Sequence, residues 1–509
     1  MITHHSPLAA HRSRNIIVIG GGIAGVAAAH RLVELQKAKG IELKISLLEP
    51  NNWLGGGIRS ERIEGCLIEW GPDAFISYKP WGIALCRRIG IDSELIRTND
   101  AHRTTYVVRK GRLVPIPDGL FLIAPTKFAP FITSSLFSPL GKLRMGMDLL
   151  IPRAPKEGDE SLASFVTRRL GREALDRIAQ PLVSGVYTAR PENLSLRATM
   201  PRFLEMEEEY GSVIRGMLAE RKSTPAASGE KQSGARMSGA RYSMFVSFRN
   251  GLQALVEELM KQMPEVEIHY QCGVRRVNQR ENDWLVETDK GDLLDADGVI
   301  IAAPAHAAAK MLRGLCESEG IDSSLSENLA GIEYASSAIV HLAYREADLP
   351  KPLDGFGFVV PAKENRSIIA CSFTSVKFEA RAPEGIALLR CFIGGAIQPE
   401  CYELDDADML AASRREVRDF LGITAGPMFH TLHRHPLSMP QYAVGHLDLC
   451  DRIEAKAGAH AGLALAGSAF RGVGIPDCIH SGETAAERVI EDVVGGDARS
   501  ERSPALGCK

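Results

Sequence analysis

Asn15-Ile-Ile-Val-Ile-Gly20-Gly-Gly22-Ile-Ala-Gly25, followed 24 residues past the last glycine by Glu49, decides the fold. The apolar run reads as a buried parallel strand that stops at glycines. From Ile23 to Lys39, Val26, Ala29, Leu32, Val33 and Leu35 recur at helical spacing, and Leu43 to Leu48 reads as a second strand ending at Glu49. Together they make a β-α-β unit. Gly20, Gly22 and Gly25, with Ile23 and Ala24 between the last two, satisfy GxGxxG. The first glycine permits a tight turn, the second lets a diphosphate approach the backbone, and the third lets helix and strand pack closely. The helix N-terminus offers unpaired N–H groups and a positive dipole to the phosphates. Glu49 is placed to accept both ribose hydroxyls, which disfavours a 2′-phosphate and hence NADP.

Composition narrows the rest. The chain has 509 residues, enough for two or three domains, and 45% are apolar. A formal net charge of -3 gives no argument for nucleic acid. No apolar run approaches the ~20 residues that span a bilayer, and the first fifteen residues lack a secretory apolar core. A reducing cytoplasmic location is expected. The ten cysteines (Cys66, Cys86, Cys272, Cys316, Cys371, Cys391, Cys401, Cys450, Cys478 and Cys508) form no CxxC pair. Neither a disulfide framework nor a metal site is expected, and His4 and His5 are read as tail residues.

Along the chain, proline-bracketed segments and helical runs near Leu140–Leu150, Ser161–Leu170 and Arg172–Leu182 read as a mostly helical subdomain. Residues 222–241 are rich in Ser, Gly and Ala and read as a flexible loop. An amphipathic helix is expected over Gly251–Met263. Strands are expected at Glu267–Tyr270, Arg275–Val277, Leu285–Thr288 and Asp297–Ala303, then a mixed β region over about Ala338–Gly395. A helix at 406–421, a strand at Gly462–Gly467 and a last helix at Ser481–Val493 complete the reading. The expected fold class is α/β plus α+β: a discontinuous Rossmann-type dinucleotide-binding domain with two insertions. Its parts are expected at 13–75, 242–310 and 439–495. A substrate domain takes 76–114 and 311–438, the helical subdomain 115–221, and a disordered tail 496–509.

Two further stretches carry the cofactor argument. Leu54-Gly55-Gly56-Gly57-Ile58-Arg59-Ser60 follows Glu49 directly. Ala466-Gly467-Ser468-Ala-Phe470-Arg-Gly472-Val473-Gly474-Ile475-Pro476-Asp477-Cys478 is a second glycine-rich strand-to-helix turn, able to bring backbone at Gly467, Gly474, Ile475 and Pro476 against a cofactor. The first resembles the GG-R-x-[ST] stretch of amine-oxidase-like flavoproteins that wraps the FAD diphosphate, with Gly57 where a basic residue is common and Arg59 as the expected substitute charge. The second resembles the closing motif of the protoporphyrinogen/coproporphyrinogen oxidases. Glu69-Trp-Gly71-Pro72-Asp73-Ala-Phe75, Pro181-Leu-Val-Ser-Gly185-Val-Tyr187 and Met439-Pro-Gln441-Tyr442-Ala-Val-Gly445-His446 resemble three more of that family's motifs, so the likeness runs from about Asn15 to Asp492.

The resemblance implies FAD as cofactor, with Gly71, Pro72, Asp73 and Val274 joining the glycines, Ile58, Arg59 and Glu49 around it. It implies six-electron oxidation of a porphyrinogen to a porphyrin, with O2 as acceptor and three H2O2 released. No catalytic side chain is assigned, because the flavin carries the chemistry. In the eukaryotic branch an arginine clamps a propionate; the matching position here is Thr105, with Arg103 two residues away. The missing clamp resembles the soluble bacterial branch, so coproporphyrinogen III is the expected substrate and protoporphyrinogen IX the alternative. Arg103, Arg109, Lys110, Arg112 and Lys127 are candidates for a basic rim, and Tyr442 for a substrate contact. A transient contact with ferrochelatase and weak or no membrane association complete the expectations. Leu120–Ala124 and Phe128–Phe137 are read as core or channel lining before membrane interface. An amine or carotenoid-precursor oxidase, a non-enzymatic prenyl-protein chaperone or flavin scaffold, and an NAD-dependent dehydrogenase are the rival readings.

Overall fold

In the computed structural model, which describes residues 13–121, 124–125, 127–154, 158–223, 244–281, 283–313 and 324–500, the opening stretch forms a strand-turn-helix. Strand β1 (Arg14–Ile19) leads into helix α1 (Ile23–Lys39) and strand β2 (Leu43–Glu49). These build a five-stranded parallel sheet in the order Glu267–Tyr270, β2, β1, Gly298–Ile301, Leu463–Leu465. Side chains alternate across it: Ile16 and Val18 enter one core with α1, and Ile17 and Ile19 enter the other. Branched apolar residues with no polar partner to satisfy suit a strand covered on both faces.

The closing helix begins at Ile475, six residues before the expected Ser481, and runs to Ser500, into the stretch expected as a disordered tail. It packs on α1 at Gly482, where a Cβ would lie 2.1 Å from the Ala24 carbonyl oxygen. An antiparallel meander of Val274–Arg280, Asp283–Thr288 and Leu293–Ala296 covers the opposite face, with Trp284 Nε1 donating to the Ala461 carbonyl at 3.1 Å.

Packing moves two of the expected boundaries. Ile83, Leu85, Cys86 and Ile89, placed by sequence with the substrate domain, are buried in the α1 core. Leu325, Leu329 and Ile332, placed there too, are buried with Ile17 and Trp284 in the nucleotide domain. Both segments are short apolar helices with no sheet signal of their own, so only tertiary contact assigns them.

The second large sheet has seven strands in the order Phe429–Pro440, Tyr334–Arg345, Ile386–Gly394, Ala370–Phe373, Gly357–Val359, Thr105–Arg109, Arg112–Pro115. All pairs are antiparallel except Gly357–Val359 with Thr105–Arg109. The helix Asp406–Leu421 covers one face with Met409 and Val417. The other face sends Val107, Val359, Ala370 and Phe392 into the core of the helical subdomain. There the helix expected at Arg172–Leu182 widens into a π-type turn over Leu175–Ala179 and continues to Tyr187. Pro181 has no N–H to give to the carbonyl four residues back, which is the local cause. Within the run Phe128–Phe137, expected as core or channel lining, Phe131, Leu136 and Phe137 enter this core, whereas Phe128 and Ile132 are exposed. The helix Val213–Ser223 enters the stretch read as a loop at 222–241, which from residue 224 lies outside the described residues.

Candidate functional site

The glycine turn forms one wall of a cradle. Gly20 has φ +101°, and a Cβ there would sit 2.6 Å from the Ala302 carbonyl oxygen; at Gly25 it would sit 1.9 Å from the Gly20 carbonyl oxygen. Those two positions therefore exclude every side chain for reasons of packing. At Gly22 a Cβ would meet nothing within 4 Å, so that glycine faces open space. Helix α1 starts there with no side-chain cap and no acidic residue in its first turn. Its first N–H groups and dipole are directed at the same space.

Gly55–Ile58 forms the facing wall. Gly55 N donates to the Gly21 carbonyl at 2.7 Å, and Gly22 and Gly55 form an isolated bridge. Gly57 also has open space at its Cα. Gly71 lies directly behind it, where a Cβ would come 2.2 Å from the Gly57 carbonyl oxygen. Ile58 is buried. Arg59, expected to bring charge to the diphosphate, instead has its guanidinium 3.8 Å from the Trp70 ring centre and 4.9 Å from that of Trp53. The two indoles hold the cation by their ring faces.

Glu49 ends β2 at the mouth of the cradle. Its Oε2 accepts from Gly21 N at 2.7 Å, and its Oε1 accepts from Asn51 N at 2.9 Å and Asn51 Nδ2 at 2.6 Å. The carboxylate is thus preoriented by the chain, and Oε2 keeps a lone pair for a ribose hydroxyl. Val274 is brought alongside because Cys272 N donates to the Glu49 carbonyl at 2.9 Å and strand Val274–Arg280 follows at once.

The closing segment completes the enclosure. Gly467 has φ +123° with open space at its Cα, and its N–H donates to Ser481 Oγ at 3.0 Å. Ile475 and Pro476 lie in the first turn of the closing helix, not in a loop. Pro476 packs by Gly82 and the Phe75 ring. Asp477 accepts from Lys79 Nζ at 2.5 Å, beside Gly472 and Gly474.

Tyr442 requires a correction. Expected to touch substrate, it is 1% exposed, stacks on His446 at 3.9 Å, and donates to the Ser468 carbonyl at 2.7 Å. It pins the closing segment from behind. Tyr442→Phe is expected to keep the fold, lower stability by about 1–2 kcal/mol through the orphaned carbonyl, and speed flavin loss; thermal melting with flavin fluorescence checks this. The proposed clamp region is also occupied differently. Arg103 donates to Asp100, and the Thr105 carbonyl accepts from Ile116 N at 2.9 Å. Arg109 donates to the Ser135 carbonyl and Lys127 to Asp118 at 2.5 Å, so two more of the rim candidates are tied to the chain itself.

The cations behind Gly71 escaped the sequence reading, and Asp73, expected among the cofactor contacts, is ion-paired with them. Asp73 accepts from Lys377 Nζ at 2.8 and 3.1 Å, with Arg390 Nη1 3.5 Å away. Arg390 also donates to the Gly71 carbonyl. Arg381, fully buried, donates to Ser247 Oγ at 2.6 Å, and Ser247 donates in turn to the Asp73 carbonyl at 2.7 Å. Glu69 accepts from Ser60 Oγ at 2.6 Å and Leu252 N at 3.0 Å. A single arginine inside the apolar strand IALLRCFIG was the legible signal for Arg390.

Burial by itself would raise the Asp73 carboxyl, but Lys377, Arg390 and Arg381 together hold it well below the usual range. Burial raises Glu69, and its hydrogen bonds and Arg381 offset that only in part. Stability linked to Asp73 is therefore present above its unfolded pKa of about 3.9 and is lost as pH falls through that value towards the folded one. Acid unfolding of Asp73→Asn is expected to start from lower stability at pH 7 and to show a shallower fall below pH ~4; denaturant melts at stepped pH measure both.

Half-buried Leu182, Tyr187, Met200, Leu204, Phe392 and Val473 pack against the helical core. Leu182, Tyr187 and Val473 fall within quoted motifs, whereas Met200, Leu204 and Phe392 were marked by none. Among the described residues no cluster of His, Cys, Asp and Glu is arranged to hold a metal, and no helix is long and apolar enough to cross a membrane.

Comparison with known proteins places this geometry. Residues 23–490 match the family model described as flavin containing amine oxidoreductase. The chain is 34% identical to the coproporphyrinogen III oxidase of Bacillus subtilis, over 93% of this chain and 97% of that one. It is 32% identical to the coproporphyrinogen III oxidase of Staphylococcus aureus, over 94% and 100%. A crystal structure assigned to the protoporphyrinogen oxidases, from Exiguobacterium sp. 255-15, superposes with a TM-score of 0.79 at 28% identity, covering 93% of this chain and 98% of that one.

Proposed function

Because the chain belongs to the flavin-containing amine oxidoreductase family, we propose that it is an FAD-dependent oxidase that converts coproporphyrinogen III to coproporphyrin III in heme biosynthesis. The observation that carries the reading is the convergence of three open glycine surfaces, at Gly22, Gly57 and Gly467, between a bare helix N-terminus and a preoriented Glu49. That set suits a dinucleotide with a bound diphosphate and a free ribose. FAD, when bound, supplies the hydride acceptor for each two-electron step and returns its electrons to O2, so that three cycles give three H2O2.

The chain's own work is to bind, orient and keep water out. Gly22 and the first turn of α1 receive the diphosphate, and Glu49 orders the ribose. Gly467 to Pro476 close over the cofactor and are held there by Tyr442 and Ser481. The apolar surface of Leu182, Tyr187, Met200, Leu204, Phe392 and Val473 is suited to one face of a macrocycle. Protoporphyrinogen IX is the second reading, favoured by that surface, since two of its edges carry vinyl groups in place of propionates.

We place the protein in the cytoplasm, with at most peripheral contact with a bilayer and a transient one with ferrochelatase. Leu140, Leu143 and Leu150 are strongly exposed on one helical stretch and are where such a contact would form.

The test is twofold. Acid-released cofactor should be FAD by mass, in about one equivalent per chain. Turnover of coproporphyrinogen III should yield three H2O2 per porphyrin formed, and a different cofactor or ratio refutes the proposal.

A further inference from the structure

Buried Arg381 and Arg390 and half-buried Lys377 gather three cations around Asp73 and Glu69, behind the wall that Gly57 and Gly71 make. This is an unusual concentration. Arg381 and Arg390 are 0% and 3% exposed, and each has a buried Nε without a hydrogen-bond partner. A purely structural ion cluster would satisfy its guanidinium groups and balance its charge. Here the charge stays positive even with both acids ionised, and burial favours the neutral form of Glu69. The neighbouring imidazoles add no compensation: His341 and His435 are driven towards the neutral form by burial and by Arg390. His435 Nε2 lies 2.8 Å from the Trp70 carbonyl, which the neutral ring satisfies as donor.

The field of this cluster has a defined outlet. Arg390 donates to the carbonyl of Gly71, and the Gly71 Cα rests against the Gly57 carbonyl oxygen. Gly57 in turn has open space on its cradle side. Glycine occupies both layers, so neither adds a side chain between the cluster and the cradle. In a low-dielectric interior such a field acts strongly on charge that appears nearby.

We infer that Lys377 and Arg390 are positioning residues of an electrostatic device that favours the reduced, more negative state of the flavin over its oxidised state. The inference rests on the flavin reading above. Its consequence is a cofactor poised to accept hydride from a carbon–nitrogen macrocycle.

Two substitutions of opposite sign test it on the FAD-loaded full-length protein. Lys377→Met removes a cation; the ratio of reduced- to oxidised-flavin affinity should fall about tenfold, a drop of ~30 mV in the two-electron midpoint. Asp73→Asn removes an anion at nearly constant shape and should move the midpoint the other way. Lys377→Arg keeps the charge and should restore the wild-type value, and sulfite affinity should follow the same order. Protein that carries flavin but shows an unchanged midpoint in Lys377→Met, or the same direction of shift in both variants, overturns the inference. Wild-type protein without flavin overturns the proposed function instead.

Discussion

Gly22→Glu is expected to give a folded protein that purifies without flavin. Gly22 has φ −64° and ψ 171°, a conformation open to any residue, and a Cβ there meets nothing within 4 Å. The fold therefore tolerates the side chain. The cofactor does not, because the new carboxylate enters the space that the α1 N-terminus presents to the diphosphate. One like-charge pair at ~4 Å costs about 4 kcal/mol at an effective dielectric of 20, or about a thousandfold in affinity. Gly25→Ala makes the contrast: its Cβ would lie 1.9 Å from the Gly20 carbonyl oxygen, so it should lower stability as well as flavin content. Circular dichroism and flavin absorbance on the same preparations separate the two effects. Gly22→Glu protein with full flavin content would place the diphosphate elsewhere.

Arg169→Met is expected to unfold the helical subdomain at markedly lower temperature. Arg169 and Asp148 are both fully buried, with Arg169 Nε donating to Asp148 Oδ1 at 2.5 Å. Arg169 also donates to the carbonyls of Ile151 at 2.9 Å, Asp148 at 2.8 Å and Gly211 at 2.9 Å. Asp148 Oδ2 in turn accepts from Ser212 Oγ at 2.6 Å and Ile214 N at 2.9 Å. The pair ties helix Leu162–Arg169 to the start of Val213–Ser223. Removing the cation leaves a carboxylate and several carbonyls dry and uncompensated, a loss of about 3–5 kcal/mol. In a chain of several cores this loss belongs to the transition of the core that holds the pair. Scanning calorimetry with limited proteolysis should show that transition move while the flavin-domain transition stays. A double change, Arg169→Met with Asp148→Leu, should recover part of the loss.

Local signals made the nucleotide domain legible. The run Ile16–Ile19, the glycine spacing and Glu49 each have one physical reading, and they agree. The strands at Glu267–Tyr270 and Gly298–Ile301 were readable for the same reason, although their order in the sheet was not. Segments whose place depends on distant partners were harder. Residues 80–89 and 324–332 carry helical apolar patterns that suit either domain, and only contact with α1 or Trp284 decides. The closing helix was read late because Gly474 and Pro476 look like loop residues, yet Pro is well placed in a first helical turn.

The candidate site divides along the same line. Backbone positions that need glycine were visible from spacing, since a missing Cβ has a local cause. Side-chain roles were not, because they depend on which neighbour arrives. Arg59 finds two indoles, Tyr442 finds the Ser468 carbonyl, and Arg103 finds Asp100. The cations behind Gly71 lie between 377 and 390 but meet Asp73 more than 300 residues away, and no motif spans that distance.

If this flavin cradle serves a four-carboxylate porphyrinogen, selectivity between the two substrates shows it. The most direct measurement is kcat/KM for coproporphyrinogen III and protoporphyrinogen IX, side by side and in air, followed by porphyrin fluorescence. A clear preference for coproporphyrinogen III is expected; a preference for protoporphyrinogen IX, or inactivity on both with FAD bound, overturns the proposed function.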